Sequence, residues 1–329
     1  VLPDALGSAH LEKGSRAMNR IACVVLCCAG PVGAETLRVM SYNTWGGGAN
    51  EGKGIEETVA AIKAARADVV GLQETRLESE PCTAESCPAV GESVAPALAK
   101  ALGWYVHDQT AENGALWANA ILSRYPMGAA SPNDLGVPVD VNGKTVWLFN
   151  IHLDDEPYQP YQLLGIEYGP APFISTEAEA IRFATETRGS ALGLLLADME
   201  KAEGAAAVFV TGDFNEPSNH DWTPEAVAAG QHPVAVKWPT TGRLVAEGFI
   251  DAYRAVHPDP VAKPAYTWTP RYDEAATDDH PDRIDFVLVR GQGVTVTDAA
   301  IVGEDGPRSD IVVMPWPSDH RAVVAEITF

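Results

Sequence analysis

Six apolar runs of this 329-residue sequence end, or begin, on acids, amides or histidine. "GDFNEPSNH" (212–220) follows "AAAVFV" and delivers Asp213, Asn215, Glu216, Asn219 and His220. "LRVMSYNTW" runs out at Asn43, and "DVVGLQE" at Gln73 and Glu74. "LFNIHLDD" carries Asn150, His152, Asp154 and Asp155. "RIDFVLV" holds Asp285 between apolar neighbours, and "PWPSDHRAVVAEI" opens a run just after Asp319 and His320. A single such ending is turn chemistry. Six imply one polar site where strand ends converge. Carboxylates and amides without thiolates suit a hard cation, Mg²⁺ or Mn²⁺, with Ca²⁺ also compatible. One ion is expected; Asp154 and Asp155 either add a second or merely open a polar loop. Histidines beside carboxylates suit proton transfer. Such a set can hold a phosphate ester and aim a water at phosphorus. No G-x-S-x-G ends a strand and there is no P-loop, so serine-nucleophile and P-loop chemistry are set aside.

These residues need strands to carry them. The runs at 37–45, 68–74, "WYVHD", "ANAILSRYPM", "TVWLFNIHLDD", "AAVFVTGDFN", "AYTWTP", "RIDFVLVR", "VTVTDAAIV" and "AVVAEITF" read as strands. Residues 55–67 place Ile55, Val59 and Ile62 on one helical face. Further helices are expected over 92–103 and about 177–201. Gly46–Gly48 allow a sharp turn after the first strand. Strands and helices do not strictly alternate, so the expected fold is α/β with two packed, mainly antiparallel sheets flanked by helices. The longest stretch without a structural signal is 154–176, a length typical of functional or disordered loops.

Formal net charge is −22, which disfavours broad affinity for phosphate backbones. A bound metal would still supply local positive charge. Met18-Asn19-Arg20 followed by "IACVVLCCAGPVGA" reads as a secretory signal cleaved after Ala34, with 1–17 as an upstream extension. The expectation is therefore an exported protein, periplasmic or extracellular, with one catalytic domain over 35–329 and no membrane-spanning run in it. Cys23, Cys27 and Cys28 leave with the signal. Cys82 and Cys87 remain and are expected to form a local disulfide; their loop lacks the ligands for a zinc site.

"SYNTW", "VVGLQET", "AILSRYPM", "NIHLDD", "TGDFNEPS", "RIDFVLV" and "SDHRAVVAEI", in this order, resemble the endonuclease/exonuclease/phosphatase superfamily, the DNase I-like fold, from about residue 37 to the C-terminus. The resemblance implies a four-layer α/β-sandwich with the active site at one rim of the paired sheets. It implies that Glu74 is the main metal ligand, with Asn43 beside it holding metal or phosphate, and Asp319 near the metal. Asp213 would position or deprotonate the attacking water, and Asn215 would hold a phosphate oxygen. His320 would act with Asp285, and His152 would bind or protonate a non-bridging oxygen. Asn150 and Arg124 are expected to be structural, and Glu216, Asn219 and His220 to shape their loop. Asp282 and Arg283 are expected to salt-bridge, a contribution that is small if exposed.

The superfamily's substrates are diverse. The export signal argues against intracellular DNA repair, and the acidic charge against a nucleic-acid groove. The 154–176 loop carries Tyr158, Tyr161 and Tyr168, which read either as a wall for an apolar or aromatic leaving group, with Asp154 a further substrate contact, or as a packed surface loop without a substrate role; Trp45 either joins that wall or packs beneath the site. A small-molecule or lipid-like phosphate ester is the expected substrate. The alternatives are an extracellular DNase I-like nuclease, acting on nucleic acid, and a non-catalytic binding member of the fold.

Overall fold

The structure is a computed structural model that describes residues 33–78, 89–270 and 276–329. The stretch expected to be a signal, up to residue 32, with Cys23, Cys27 and Cys28, and the Cys82–Cys87 pair expected to form a disulfide lie outside the described residues. Fourteen strands form among the described residues. They are β1 (Thr36–Asn43), β2 (Val69–Gln73), β3 (Leu77–Glu78), β4 (Ala89–Val90), β5 (Tyr105–Asp108), β6 (Ala120–Ser123) and β7 (Gly136–Val141). They continue with β8 (Lys144–His152), β9 (Ala207–Asp213), β10 (Ile250–Asp251), β11 (Asp285–Arg290), β12 (Thr295–Gly303), β13 (Ile311–Val312) and β14 (Ala322–Thr328). The helices are α1 (Ile55–Ala64), α2 (Ala95–Leu102), α3 (Gln159–Leu164), α4 (Glu177–Asp198), α5 (Pro224–Ala228), α6 (Pro239–Ala246) and α7 (Ala252–Val256).

One sheet has the order β13-β12-β14-β1-β2-β6-β5, the other β10-β11-β9-β8-β7, and β3 pairs only with β4. Most pairings are antiparallel; β1 with β2, β8 with β9, and β12 with β13 are parallel. The side-chain period of two explains the layering. Val39, Val69, Val323, Leu148, Phe209 and Val287 fill the space between the sheets. Their chain neighbours point outward. Met40, Val70 and Val324 pack with Val59, Ile62 and Leu98 of α1 and α2. Phe149, Val210 and Phe286 pack with Leu192 and Leu195 of α4 and Leu244 of α6. Strands buried on both faces read as continuous apolar runs, as these do. The result is the expected four-layer sandwich.

The two sheets touch closely beneath the functional rim. A Cβ on Gly71 of β2 would collide with Thr211 Oγ1 and the Asn150 amide. Asn150 is structural, as expected: it donates to Leu72 O (2.8 Å), Gln109 Oε1 (2.9 Å) and Ala120 O (3.2 Å), and accepts from Gln73 Nε2 (2.5 Å). It therefore ties the strands that end on the site. Arg124 lies 3.3 Å from Asp68 and over the Trp104 ring, again a structural position.

Three expectations are corrected. "AYTWTP" is not a strand: Thr267 and Trp268 donate their backbone N–H groups to the single carbonyl of Asp282, leaving only an isolated bridge. The 154–176 stretch is not structureless, since Pro160 sits in the first turn of α3, where its missing N–H is tolerated. The pattern also misses β7, whose Pro138 weakens its strand signal; β7 is an edge strand, where proline is tolerated. No described helix is long and apolar enough to cross a membrane.

Candidate active site

Topology brings the polar strand ends together. β1, β2, β8 and β9 terminate at the same rim where β11 and β14 begin, because β11 runs antiparallel to β9 and β14 antiparallel to β1. Cross-strand register places His152 opposite Asp213, and Asp213 opposite Asp285. Two carboxylates directly opposite one another repel. His320 stands between them, with Nδ1 2.9 Å from Asp285 Oδ2 and Nε2 3.6 Å from Asp213 Oδ2.

Asp213 is the hub. Its Oδ2 accepts from Asn43 Nδ2 (3.0 Å) and lies 3.6 Å from His152 Nε2; its Oδ1 accepts from the Asn215 N–H (3.0 Å). Asn43 Nδ2 also donates to Glu74 Oε1 (2.7 Å), which is 3.9 Å from His152 Nε2. His152 is held from behind: its Nδ1 faces the Trp117 carbonyl at 3.4 Å, leaving Nε2 toward the carboxylates. Asn215 Nδ2 donates to Leu153 O (2.9 Å). Seven of the eight residues expected to converge are thus linked by contacts. The eighth, Asp319, adjoins His320 in the chain, and its charge acts on both Glu74 and His320.

The backbone is bent to achieve this. Glu74 and Asn215 adopt left-handed conformations, φ 53° and 45°, as does Trp45 at 45°. That region costs a residue with a Cβ about 1–2 kcal/mol, and such positions concentrate at functional sites. Hydrogen bonds maintain the bend at Glu74: Thr44 Oγ1 donates to its carbonyl (2.9 Å), and so does the Gly46 N–H (2.8 Å). Gly47, at φ 67°, has no room for a Cβ against Val94.

The electrostatics favour a cation. Burial pushes the Glu74 carboxyl well above its ordinary range, and the Asp319 charge adds to this. Glu74 Oε2 is buried without a hydrogen-bond partner. Glu74, His152 and Asp213 each offer a ligand atom within 4.8 Å of the others, as do Asp213, Asp285 and His320. A hard-oxygen donor set with an orphaned buried carboxylate oxygen fits a divalent ion. Burial works against charge on His320, yet Asp285, Asp213 and Asp319 outweigh it and hold the imidazole above its ordinary value.

The residues expected to form a wall are arranged differently. Tyr158 and Tyr161 are buried, with hydroxyls donated to Asp282 (2.9 Å) and Asp279 (2.7 Å). Both pack on Trp268, at 5.7 and 5.8 Å between ring centroids, and Trp268 lies 6.3 Å from the His320 ring. The loop tyrosines therefore brace an inner wall formed by Trp268. Tyr168 and Phe173 stay exposed, with Tyr168 bonded to Asp155. Asp154 and Asp155 are exposed and Trp45 is half-buried, its N–H donated to Asn43 Oδ1 (3.1 Å).

Sequence reasoning missed Trp268, Trp117, Thr267 and Ser318. Thr267 Oγ1 accepts the N–H groups of Ile284 and Asp285. Ser318 Oγ donates to Asn43 O (2.8 Å) and accepts the His320 N–H (3.0 Å). Only Ser318 carried a signal, by adjoining Asp319 and His320.

Glu216 shapes its loop, as expected. It is fully buried, accepts from Thr240 N (2.7 Å) and Oγ1 (2.9 Å), and lies 4.0 Å from Arg188. Burial raises its carboxyl from 4.5 to about 6, although Arg188 and Thr240 oppose the rise. An acid raised on folding contributes stability below its unfolded value and loses it as pH climbs through the folded one. Between pH 4.5 and 7 the wild type should therefore lose about 2 kcal/mol relative to Glu216→Gln. Urea unfolding of both proteins across that window checks this. A shift in the opposite direction would mean that pairing with Arg188 outweighs burial.

Comparison with known proteins agrees with this architecture. The profile of the "Endonuclease/Exonuclease/phosphatase family" matches residues 40–320. The Caenorhabditis elegans protein F14F9.5 is 27% identical over 312 residues, 89% of this chain and 91% of its own. A solved endonuclease/exonuclease/phosphatase family protein from Leptotrichia buccalis superposes with a TM-score of 0.51 at 14% identity, covering 89% of this chain and all (100%) of its own. D. rerio TDP2 humanised by 14 mutations gives 0.50 at 17% identity, over 89% of this chain and 98% of its own. At these identities the solved structures share the fold. The profile match, which runs from within β1 to just short of β14, establishes that the chain belongs to the endonuclease/exonuclease/phosphatase family, with a DNase I-like fold.

Proposed function

We propose that this chain is a divalent-metal-dependent phosphoesterase that hydrolyses a small-molecule or lipid-like phosphate ester, foremost a phosphodiester. The observation that carries the reading is Asp213, buried between two histidines and beside the unpartnered oxygen of Glu74. Glu74, Asn43 and Asp319 would hold the ion, Mg²⁺ or Mn²⁺. When bound, it would supply Lewis-acid polarisation of a phosphoryl oxygen. Asp213 would accept a proton from the attacking water. His320, oriented at Nδ1 by Asp285, would hold its Nε2 toward the reacting atoms. His152 Nε2 would meet a non-bridging oxygen, and Asn215 would assist there. A binding module has no need of this acid–base pairing.

Support for a small ester comes from the walls. The 154–176 loop contains no Lys or Arg, and the wall near His320 is aromatic. A duplex groove instead positions cations against phosphates. Export as a mature 35–329 domain belongs to the same proposal and is supported by the 18–34 pattern.

The test is a comparison of initial rates on an aryl phosphodiester, a phospholipid and plasmid DNA in one Mg²⁺ buffer, with and without EDTA. Chelator-sensitive turnover of a small or lipid ester well above plasmid cleavage is expected. Efficient plasmid cleavage with inert small esters would replace this reading with the nuclease one. Activity surviving exhaustive chelation would remove the metal.

A further inference from the structure

A second cluster of ligating side chains lies outside the active-site set. His232 Nδ1 and His280 Nε2 face each other at 3.2 Å, and each has a ligand atom within 4.8 Å of one from Asp282. We propose that His232, His280 and Asp282 form a structural binding site for a borderline-soft divalent cation of the Zn²⁺ class.

The geometry is close to what such an ion needs. Two nitrogens on a tetrahedral Zn²⁺ stand about 3.3 Å apart, given Zn–N bonds of about 2.0–2.1 Å. Imidazole nitrogen with one carboxylate favours Zn²⁺ over Mg²⁺ or Ca²⁺. Burial presses both imidazoles toward the neutral, ligand-competent form, His232 to about 3 and His280 to about 4.

An imidazole–imidazole hydrogen bond would account for the two histidines alone. It does not account for Asp282. That carboxylate is buried, its two oxygens accept from Trp222 Nε1 (2.8 Å) and Tyr158 OH (2.9 Å), and both donors are neutral. The neighbouring Arg283 is committed to Asp221 and Asp251. Burial first, and after it the charges of Asp221 and Asp279, push the Asp282 carboxyl well above its ordinary range, so an ionised carboxylate here calls for a cation beside it. A cation between Asp282 and the histidines would complete the arrangement. The supporting contacts are those of a metal site: Trp222 and Tyr158 orient the carboxylate, and His232 is stacked on Trp222 at 4.3 Å and 14°. His280 is only partly buried, which leaves a fourth position for water.

The site would clasp the segment between α5 and α6 to the segment that leads into Asp285. Its test uses tag-free, chelator-stripped protein carrying Glu74→Gln and Asp213→Asn, which takes a carboxylate from both active-site ligand sets so that they do not compete, in excess Mg²⁺. Zn²⁺ is titrated and bound metal measured per chain; Co²⁺ is titrated separately for its visible spectrum. About one Zn²⁺ per chain, a raised melting temperature and the intense bands of tetrahedral Co²⁺ are expected. Adding His280→Gln should weaken Zn²⁺ affinity by about 100-fold or more, and remove the thermal shift. Equal Zn²⁺ affinity with and without His280 would overturn the proposal. Should that variant fail to fold, the Co²⁺ spectrum of the protein carrying only Glu74→Gln and Asp213→Asn decides: weak octahedral bands, or none, overturn it.

Discussion

His320→Ala is expected to lower turnover by about 10²–10⁴-fold, the usual scale for loss of a positioned acid–base group. The loss should sit in kcat more than in KM. His320 is buried against Asp285 and faces Asp213 at 3.6 Å. Its removal does two things. It deletes the proposed proton carrier, and it leaves two buried carboxylates facing each other across β9 and β11. Like charges so placed cannot both stay ionised, so one of them takes up a proton. Burial already pushes the Asp285 carboxyl up to about 6 against the pull of His320, so with that pull gone Asp285 is the one that protonates. Asp285→Asn acts on the reaction only through the imidazole and should cost less than His320→Ala. Steady-state rates on an aryl phosphodiester, with circular dichroism to confirm folding, check both. A His320→Ala enzyme within about tenfold of wild type would remove His320 from the chemistry.

The rim of the site was legible in the sequence because its residues sit in short motifs on uninterrupted apolar runs. Such runs are what strands buried on both faces look like, and the polar residue at each end has no packing reason to be there. Asn43, Glu74, His152, Asp213, Asp285 and His320 could all be found this way. The walls could not. Tyr158 and Tyr161 read as a surface for ligand because a tyrosine offers an apolar face and a polar tip. Their hydroxyls instead meet Asp282 and Asp279, more than a hundred residues away (124 and 118). Trp268 faces His320 from a segment with no polar marker. Contacts of that sequence separation leave no local trace. The His232–His280 pair, 48 residues apart, was silent for the same reason.

Arg283 is the other residue whose sequence reading fails, and the correction carries the largest stability effect expected here. Beside Asp282 and Asp285 it reads as a surface ion pair of small value. In the fold its side chain is wholly buried and does not pair with Asp282. Nε donates to Asp221 (2.9 Å), and Nη1 and Nη2 donate to Asp251 (3.0 and 2.7 Å). Its guanidinium also lies 4.8 Å over the Phe286 ring. Arg254 Nε donates to Asp221 (2.6 Å) and Ser218 Oγ to Asp251 (3.0 Å), closing a network of two cations and two anions. Arg283→Met should therefore cost about 3–5 kcal/mol, because it strands a buried carboxylate rather than merely deleting an attraction. That cause has its own signature. Adding Asp251→Asn to Arg283→Met should recover part of the loss, since it removes the stranded charge. Arg283→Lys should rescue poorly, because one ammonium cannot reproduce the fork that spans two carboxylates. Urea unfolding of the three proteins measures this. A loss below about 1 kcal/mol for Arg283→Met would put the network in the surface class after all. Arg283 stands two residues before Asp285, at the entry to β11. Loosening it should therefore lower kcat even below the melting transition, because the carboxylate that orients His320 hangs from the same backbone.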